Sequence, residues 1–226
     1  LHRVDRRQRQ MCIRDRSVGG QICLSSMLWS EGDAVLEEWI EGDVLPPTAP
    51  QDHLLEEPAG VLARIHQIDV SGRGVVDACA EVAKHSPLLS SLTLASAIST
   101  DEELQLAAKL SRLAPARMHV GLAHHDFCGE NLVLHSSRGV VSIDHEWMRV
   151  GSLDFDVARA IRQWKLPDVG IDAFLRGYAA AGGPVDIANL DFWLLANDIF
   201  ASELRVRRGW PDAPATVKRL MSWIDR

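Results

Sequence analysis

The stretch that decides the reading is Leu122–Trp147, LAHHDFCGENLVLHSSRGVVSIDHEW. Its short apolar runs are separated by turn residues, and Ser136 to Gly139 reads as a hairpin turn. On that reading Asp126 and Asn131 bracket a tight loop that leads into the hairpin. Asp144 ends the returning strand, so the hairpin brings it back near Asn131. A carboxylate and an amide oxygen then sit on adjacent strands, with another carboxylate on the loop beside them. Oxygen ligands of this kind suit Mg2+, which prefers one or two carboxylates and keeps water and phosphate oxygens in its other positions. A free carboxylate next to such an ion can orient a hydroxyl and take its proton during phosphoryl transfer. A single Asp or Asn in a hairpin is ordinary turn chemistry; the spacing of all three gives the stretch its weight.

Outward from the hairpin the texture is helical. Upstream, AVLEEWIEGDVL combines β-branched and aromatic residues before Gly42 and a loop with Pro46, Pro47 and Pro50, which predicts a strand over 34–40 ending in a linker. Leu54, Leu55, Val61, Leu62, Ile65 and Ile68 recur at helical spacing, with Pro58 near the start where a first turn tolerates it, so a helix is predicted over 52–69. Residues 75–85 predict a short helix. SAISTDEELQLAAKLSRLAP offers Ser99 or Thr100 as cap, acids in the first turn and Pro115 as a stop, which predicts a helix over 100–114. After Leu153 helices are predicted over 154–165, 168–182, 187–208 and 212–225, punctuated by Gly182, Gly183 and Pro184 and by Gly209 and Pro211. The fold class is therefore α+β: a mostly helical body carrying one small β insert, with the polar cluster on the insert.

Bulk properties agree with a globular chain. The 226 residues suffice for a sizeable core. A net charge of −7 argues against nucleic acid or an anionic membrane as the main partner. Cys12, Cys23, Cys79 and Cys128 are scattered with no CxxC pair, which suits free thiols and a cytoplasmic location. No apolar run approaches the ~20 residues that span a bilayer. The first residues, LHRVDRRQRQMCIRDRS, are arginine-rich and lack apolar periodicity. MCIRDR looks like a translated sequencing adapter, so residues 1–17 are expected to be non-native or a disordered arm.

HHDFCGEN followed by SIDHE resembles the catalytic and metal-binding loops of the aminoglycoside phosphotransferases and their choline-kinase-like relatives, whose pattern is H-G-D-x-x-x-x-N, a short hairpin, then I-D-x-[DE]. The resemblance implies a protein-kinase-like fold and ATP and Mg2+ as cofactors. It also implies transfer of the γ-phosphate to a hydroxyl of a small molecule. His124 stands for the loop histidine, Asp126 for the catalytic base, and Asn131 and Asp144 for the metal ligands. GSLDFDVA resembles G-D-P-x-x-D-L-A, whose second aspartate, Asp156, begins a helix and braces the loop from behind. VLARIH resembles the helix segment that packs under the loop, with His66 as its histidine. LEEWIEGDVL resembles the strand joining the two lobes; Glu38 and Ile40 would offer their backbone groups to adenine. On this likeness residues 18–45 are a remnant of the small lobe with the connecting strand, and residues 46–226 are the helical large lobe. The acceptor is not readable from these motifs.

The departures are specific. The loop glycine is His125, and Cys128, Gly129 and Glu130 replace the usual residues before the asparagine while the spacing holds. No lysine precedes Lys84, and nothing before Val35 reads as a glycine-rich hairpin, Gly19 and Gly20 included. The fold needs a phosphate-covering loop and a strand lysine. An N-terminally truncated member, inactive or poorly active as it stands, is therefore expected.

Other readings compete. His124, His125 and Asp126 with Asp144 and His145 could form a metal-dependent phosphohydrolase site, but such sites lie on helices, and Asn131 would have no task. A kinase-like module that binds without transferring is the third class. His124 is expected to bond the loop backbone, His66 to be a packed core histidine, and His125 to be a plain surface residue. Asp154 reads as a solvated acid or a cap. Cys128 has no base placed to make it a nucleophile. Trp164, Trp193, Trp210 and Trp223 read as core. Asp198 and Glu203 read as a solvated helix face, or as acids facing a cationic acceptor.

Overall fold

A computed structural model describes residues 24–25, 27–31, 34–46, 55–184 and 189–226. The expectations for residues 1–17, for Gly19 and Gly20, and for helix starts at 52 and 187 lie outside them. The chain divides into two compact units, Leu1–Gly74 with His119–Val185, and Val75–Met118 with Asp186–Arg226.

The first unit holds the hairpin. Strands β1 (Met27–Glu31) and β2 (Ala34–Glu37) form an antiparallel pair, and the predicted strand stops at 37. Strand β3 (Asp43–Val44) pairs with β6 (Leu132–His135), which pairs with β7 (Gly139–Ser142), all antiparallel. One face of this small sheet is apolar: Ile40, Val133 and Val141 are buried together, with Ile143 packed against them. Strand β5 (Arg117–Ala123) pairs antiparallel with β8 (Arg149–Ser152), a strand the sequence did not suggest because half of it is arginine and glycine.

Helix α1 (Glu56–Gln67) packs along α6 (Asp168–Ala180). Gly177 permits the close approach, since a Cβ there would meet the Glu56 backbone. Helix α5 (Leu153–Gln163) begins directly after β8, capped by Ser152, whose Oγ accepts from Phe155 N–H at 3.1 Å. Asp154 is neither solvated nor the cap: it is buried and accepts from His119 N–H at 2.6 Å.

The second unit is helical. Within it the expected helix over 75–85 divides, because Val75–Asp77 are the end of strand β4 (Gly74–Asp77) and helix α2 spans only Cys79–Ala83. Helix α3 (Ser86–Leu94) was not expected and packs on α4 (Thr100–Leu113) and α7 (Leu190–Arg208). Ser99, not Thr100, caps α4 in a full capping box: its Oγ accepts from Glu102 N–H and Glu102 Oε2 accepts from Ser99 N–H. Helix α8 (Ala213–Met221) packs on α7.

Three expectations for the tail fail here. Asp198 is fully buried, accepting from Arg219 Nε at 2.7 Å and Trp223 Nε1 at 2.9 Å; Glu203 is buried and bonded by Arg207 Nε at 2.8 Å. Neither lies on a solvated face, because cations and an indole N–H within the unit complete them. Trp164, Trp193 and Trp223 are core, whereas Trp210 is exposed beneath the Arg205 guanidinium. Among the described residues no helix is long and apolar enough to cross a membrane.

Candidate active site

The loop between β5 and β6 runs from His124 to one turn of 3-10 helix at Gly129–Asn131. Its backbone is held from beneath. Asp156, in the first turn of α5, is fully buried and accepts from His124 N–H at 2.6 Å, His125 N–H at 2.7 Å and His66 Nε2 at 3.0 Å. Burial alone would raise its pKa, but the His66 hydrogen bond and the neighbouring imidazoles outweigh it and hold the carboxyl well below the usual carboxylate range. His66 is buried in turn and its Nδ1 meets Tyr178 Oη at 2.7 Å. Helix α5 starts at Leu153 under the Ser152 cap, so Asp156 lies within its first turn.

His124 is a second fixed point. Asp126 N–H donates to its Nδ1 at 3.3 Å, so the ring proton lies on Nε2, which donates to Ser142 Oγ at 2.8 Å. Burial lowers the pKa of His124, against the pull of nearby Asp156, Asp126 and Asp144. With both nitrogens engaged, the ring has none left for a metal, and the phosphohydrolase arrangement falls away. Among the described residues no group of three or more His, Cys, Asp or Glu side chains could hold a metal ion.

His125 departs from its expected surface role. It stands where the motif carries glycine and has a left-handed backbone, φ +62°. Its ring is largely buried against Gly151, its Nε2 has no hydrogen bond among the described residues, and burial lowers its pKa to about 4. Gly129 is required by close packing, because a Cβ there would collide with the Pro46 carbonyl. Cys128 is a half-buried free thiol whose pKa is pushed up to about 11 by burial and by Asp126, so it carries no thiolate near neutral pH.

Asp126 and Asn131 are bonded to each other at the edge of this frame, and Asp144 follows the residue that pairs with Asn131. Asn131 Nδ2 donates to Asp126 O at 2.9 Å and to Asp126 Oδ2 at 3.0 Å. The reverse amide orientation would set oxygen against two acceptors, so Oδ1 of Asn131 points elsewhere and has no hydrogen bond among the described residues. Ile143 N–H donates to Asn131 O at 2.9 Å, which registers Asp144 beside Asn131. Asp144 is exposed, has a left-handed backbone at φ +57°, and its carboxylate has no partner among the described residues.

Sequence reasoning missed four contributors. Gln163 Nε2 donates to Asp126 Oδ1 at 2.6 Å, and Arg159 Nη2 lies 3.6 Å from the same oxygen. With Asp156 they form one stripe of α5 at i, i+3 and i+7, the periodicity that could have revealed them. Ser142, the partner of His124, carried no signal. Trp164 Nε1, at the end of α5, fastens the loop through Phe127 O at 3.1 Å.

Glu38 and Ile40 lie between β2 and β3, outside any strand. The Glu38 carboxylate pairs with Arg138 at 3.0 Å, and Ile40 packs on β6 and β7, the strands that flank Asn131 and Asp144. Trp39 between them is exposed.

With the fold and this edge described, likeness to known proteins can be assigned. The family model of the phosphotransferase enzyme family matches residues 18–193, and the chain belongs to that family. It is thus of the phosphotransferase class. The search of curated proteins found no match. Among solved structures, the choline kinase LicA from Streptococcus pneumoniae is similar at a TM-score of 0.71 and 17% identity, over 98% of this chain and 81% of that one. Another structure of LicA is in complex with AMP, at a TM-score of 0.66 and 17% identity over 97% of this chain and 77% of that one. A Plasmodium vivax ethanolamine kinase is similar at a TM-score of 0.65 and 14% identity over 97% and 72% of the two chains. At such identities the likeness is one of fold, the protein-kinase-like α+β fold.

Proposed function

We propose that this chain carries the site of an enzyme that transfers the γ-phosphate of ATP to a hydroxyl of a small molecule, with Asp126 as the base. The observation that supports the reading is the bonding of Asn131 to Asp126, with Asp144 next to the residue that pairs with Asn131, on a backbone bonded by Asp156 and His124. Asp126 orients the acceptor hydroxyl and takes its proton as that oxygen bonds to the γ-phosphorus. The bond from phosphorus to the β,γ-bridging oxygen breaks, and ADP leaves with the electron pair.

The oxygens left over fit a divalent cation. Asn131 keeps its amide carbonyl and Asp144 its whole carboxylate without a protein partner among the described residues, a hard-oxygen donor set of the kind Mg2+ takes. Mg2+ held by Asn131 and Asp144 would neutralise phosphate charge as the transfer proceeds. The backbone of Glu38 and Ile40 is assigned to adenine. Nucleotide use draws support from the family and from LicA, which has been solved with AMP. A cytoplasmic location and a small-molecule acceptor complete the proposal. Choline, ethanolamine and aminoglycosides are what the similar kinases are named for, and serve here as acceptors to be tried.

Replacing Asp126 by alanine is expected to lower transfer by about 10²–10⁴-fold, the usual contribution of a positioned base. Nucleotide binding, measured by calorimetry with ADP and Mg2+, is expected to survive. Transfer at the unaltered rate in Asp126→Ala would remove the role assigned to it.

A further inference from the structure

We propose that Gln163 is a positioning residue that fixes the carboxylate of Asp126, an inference that rests on the assignment of Asp126 as base. Asp156 holds only the backbone of the loop, through the N–H groups of His124 and His125. The side chain of Asp126 could still rotate. Two amides from separate elements prevent this, one on each oxygen: Asn131 Nδ2 on Oδ2 at 3.0 Å and Gln163 Nε2 on Oδ1 at 2.6 Å. Together they set the plane of the carboxylate. Each oxygen has about two lone-pair sites, so a site on each stays open to an incoming hydroxyl.

Arg159 does not replace this contact. Its Nη2 is 3.6 Å from Oδ1, beyond hydrogen-bond range, so it contributes charge without direction. The Gln163 amide also has a cost that argues for a purpose. Its Oε1 is buried and has no hydrogen bond among the described residues. An apolar side chain of the same shape would avoid leaving that oxygen unsatisfied. The amide therefore makes sense at this position through its donor, which faces Asp126.

The test uses Gln163→Met, which keeps the shape and loses the donor, and Gln163→Glu, which keeps the shape and sets a second carboxylate against the first. Both are assayed in the full chain with Mg2+ and ATP, with choline, ethanolamine, an aminoglycoside and water as acceptors. A displaced base typically lowers kcat by about 10²-fold, and KM for ATP is expected to stay within about twofold. The thermal midpoint of Gln163→Met is expected to hold or rise, whereas a purely structural glutamine would lower it and leave kcat alone. A crystal structure of Gln163→Met reads the same question independently of turnover: the Asp126 carboxylate is expected to rotate or split into two conformers. Unchanged kcat, or a carboxylate left in place, would overturn the inference. Asp126→Ala is run in parallel. If it transfers normally, the base assignment itself fails; if it is dead while Gln163→Met is fully active, only the positioning role fails.

Discussion

Asp156 and Asp144 are the same residue type in the same unit, some twelve positions apart, and they live in opposite environments. Asp156 is fully buried and takes three hydrogen bonds, from His66 and from the backbone of His124 and His125. Asp144 is exposed, sits on a left-handed backbone and takes none from the described residues. A buried carboxylate survives only where donors replace water. An exposed one held in an uncommon conformation with free oxygens is available to something outside the chain. The contrast separates the part of the site that holds it together from the part proposed to meet ligand.

The contrast can be broken most directly at Asp156. Asp156→Ala strands three donors, two of them buried, and the expected loss is on the order of 3–5 kcal/mol in urea denaturation, with turnover lost alongside the fold. A loss below about 1 kcal/mol would mean the buried network is not what secures the loop. Asp144→Ala is expected to do the reverse. Its stability is expected to stay within about 0.5 kcal/mol of the parent, as for exposed residues generally. Mg2+-dependent nucleotide binding and transfer are expected to collapse in calorimetry and assay. If Asp144→Ala unfolds the protein instead, the two aspartates do not divide the work as described.

A smaller effect sharpens the boundary between the two regions at His125. Its pKa in the fold is about 4 against 6.5 for an ordinary histidine. As pH falls below 6.5 the unfolded chain takes up a proton that the folded chain refuses until about 4. Stability therefore drops across that window and the His125 share is fully present only above it. His125→Gly removes this share and frees a left-handed backbone position that costs a non-glycine residue about 1 kcal/mol. Thermal midpoints from pH 4 to 8 are expected to rise slightly at neutral pH and to fall less steeply on the acid side; parallel curves would rule out His125 as a contributor. The smallest effect belongs to the second unit. Ser99→Ala breaks the capping box of α4 and is expected to cost about 1 kcal/mol without changing transfer.

Much of the site was legible in the chain because it is local. Asp126, Asn131 and Asp144 lie within one loop and one hairpin, where turn chemistry and strand period fix the relation between neighbours. The Ser99 cap was legible for the same reason. His125 was misread because its burial comes from Gly151 on a different strand. Asp154, Asp198 and Glu203 were misread because charged residues on a helix are solvated unless partners such as His119, Arg219 or Ser91 arrive from elsewhere. Strand β8 is a strand only because β5 lies beside it.

The sequence by itself determined the spacing of the acidic and amide groups, the hairpin that folds them together and the helical character of the rest, since each depends on residues a few positions apart. Tertiary structure alone decided which carboxylates were buried and which stayed open, and it brought Gln163 and Arg159 to Asp126. Those outcomes follow from desolvation and from donors supplied by distant elements, which no local pattern encodes.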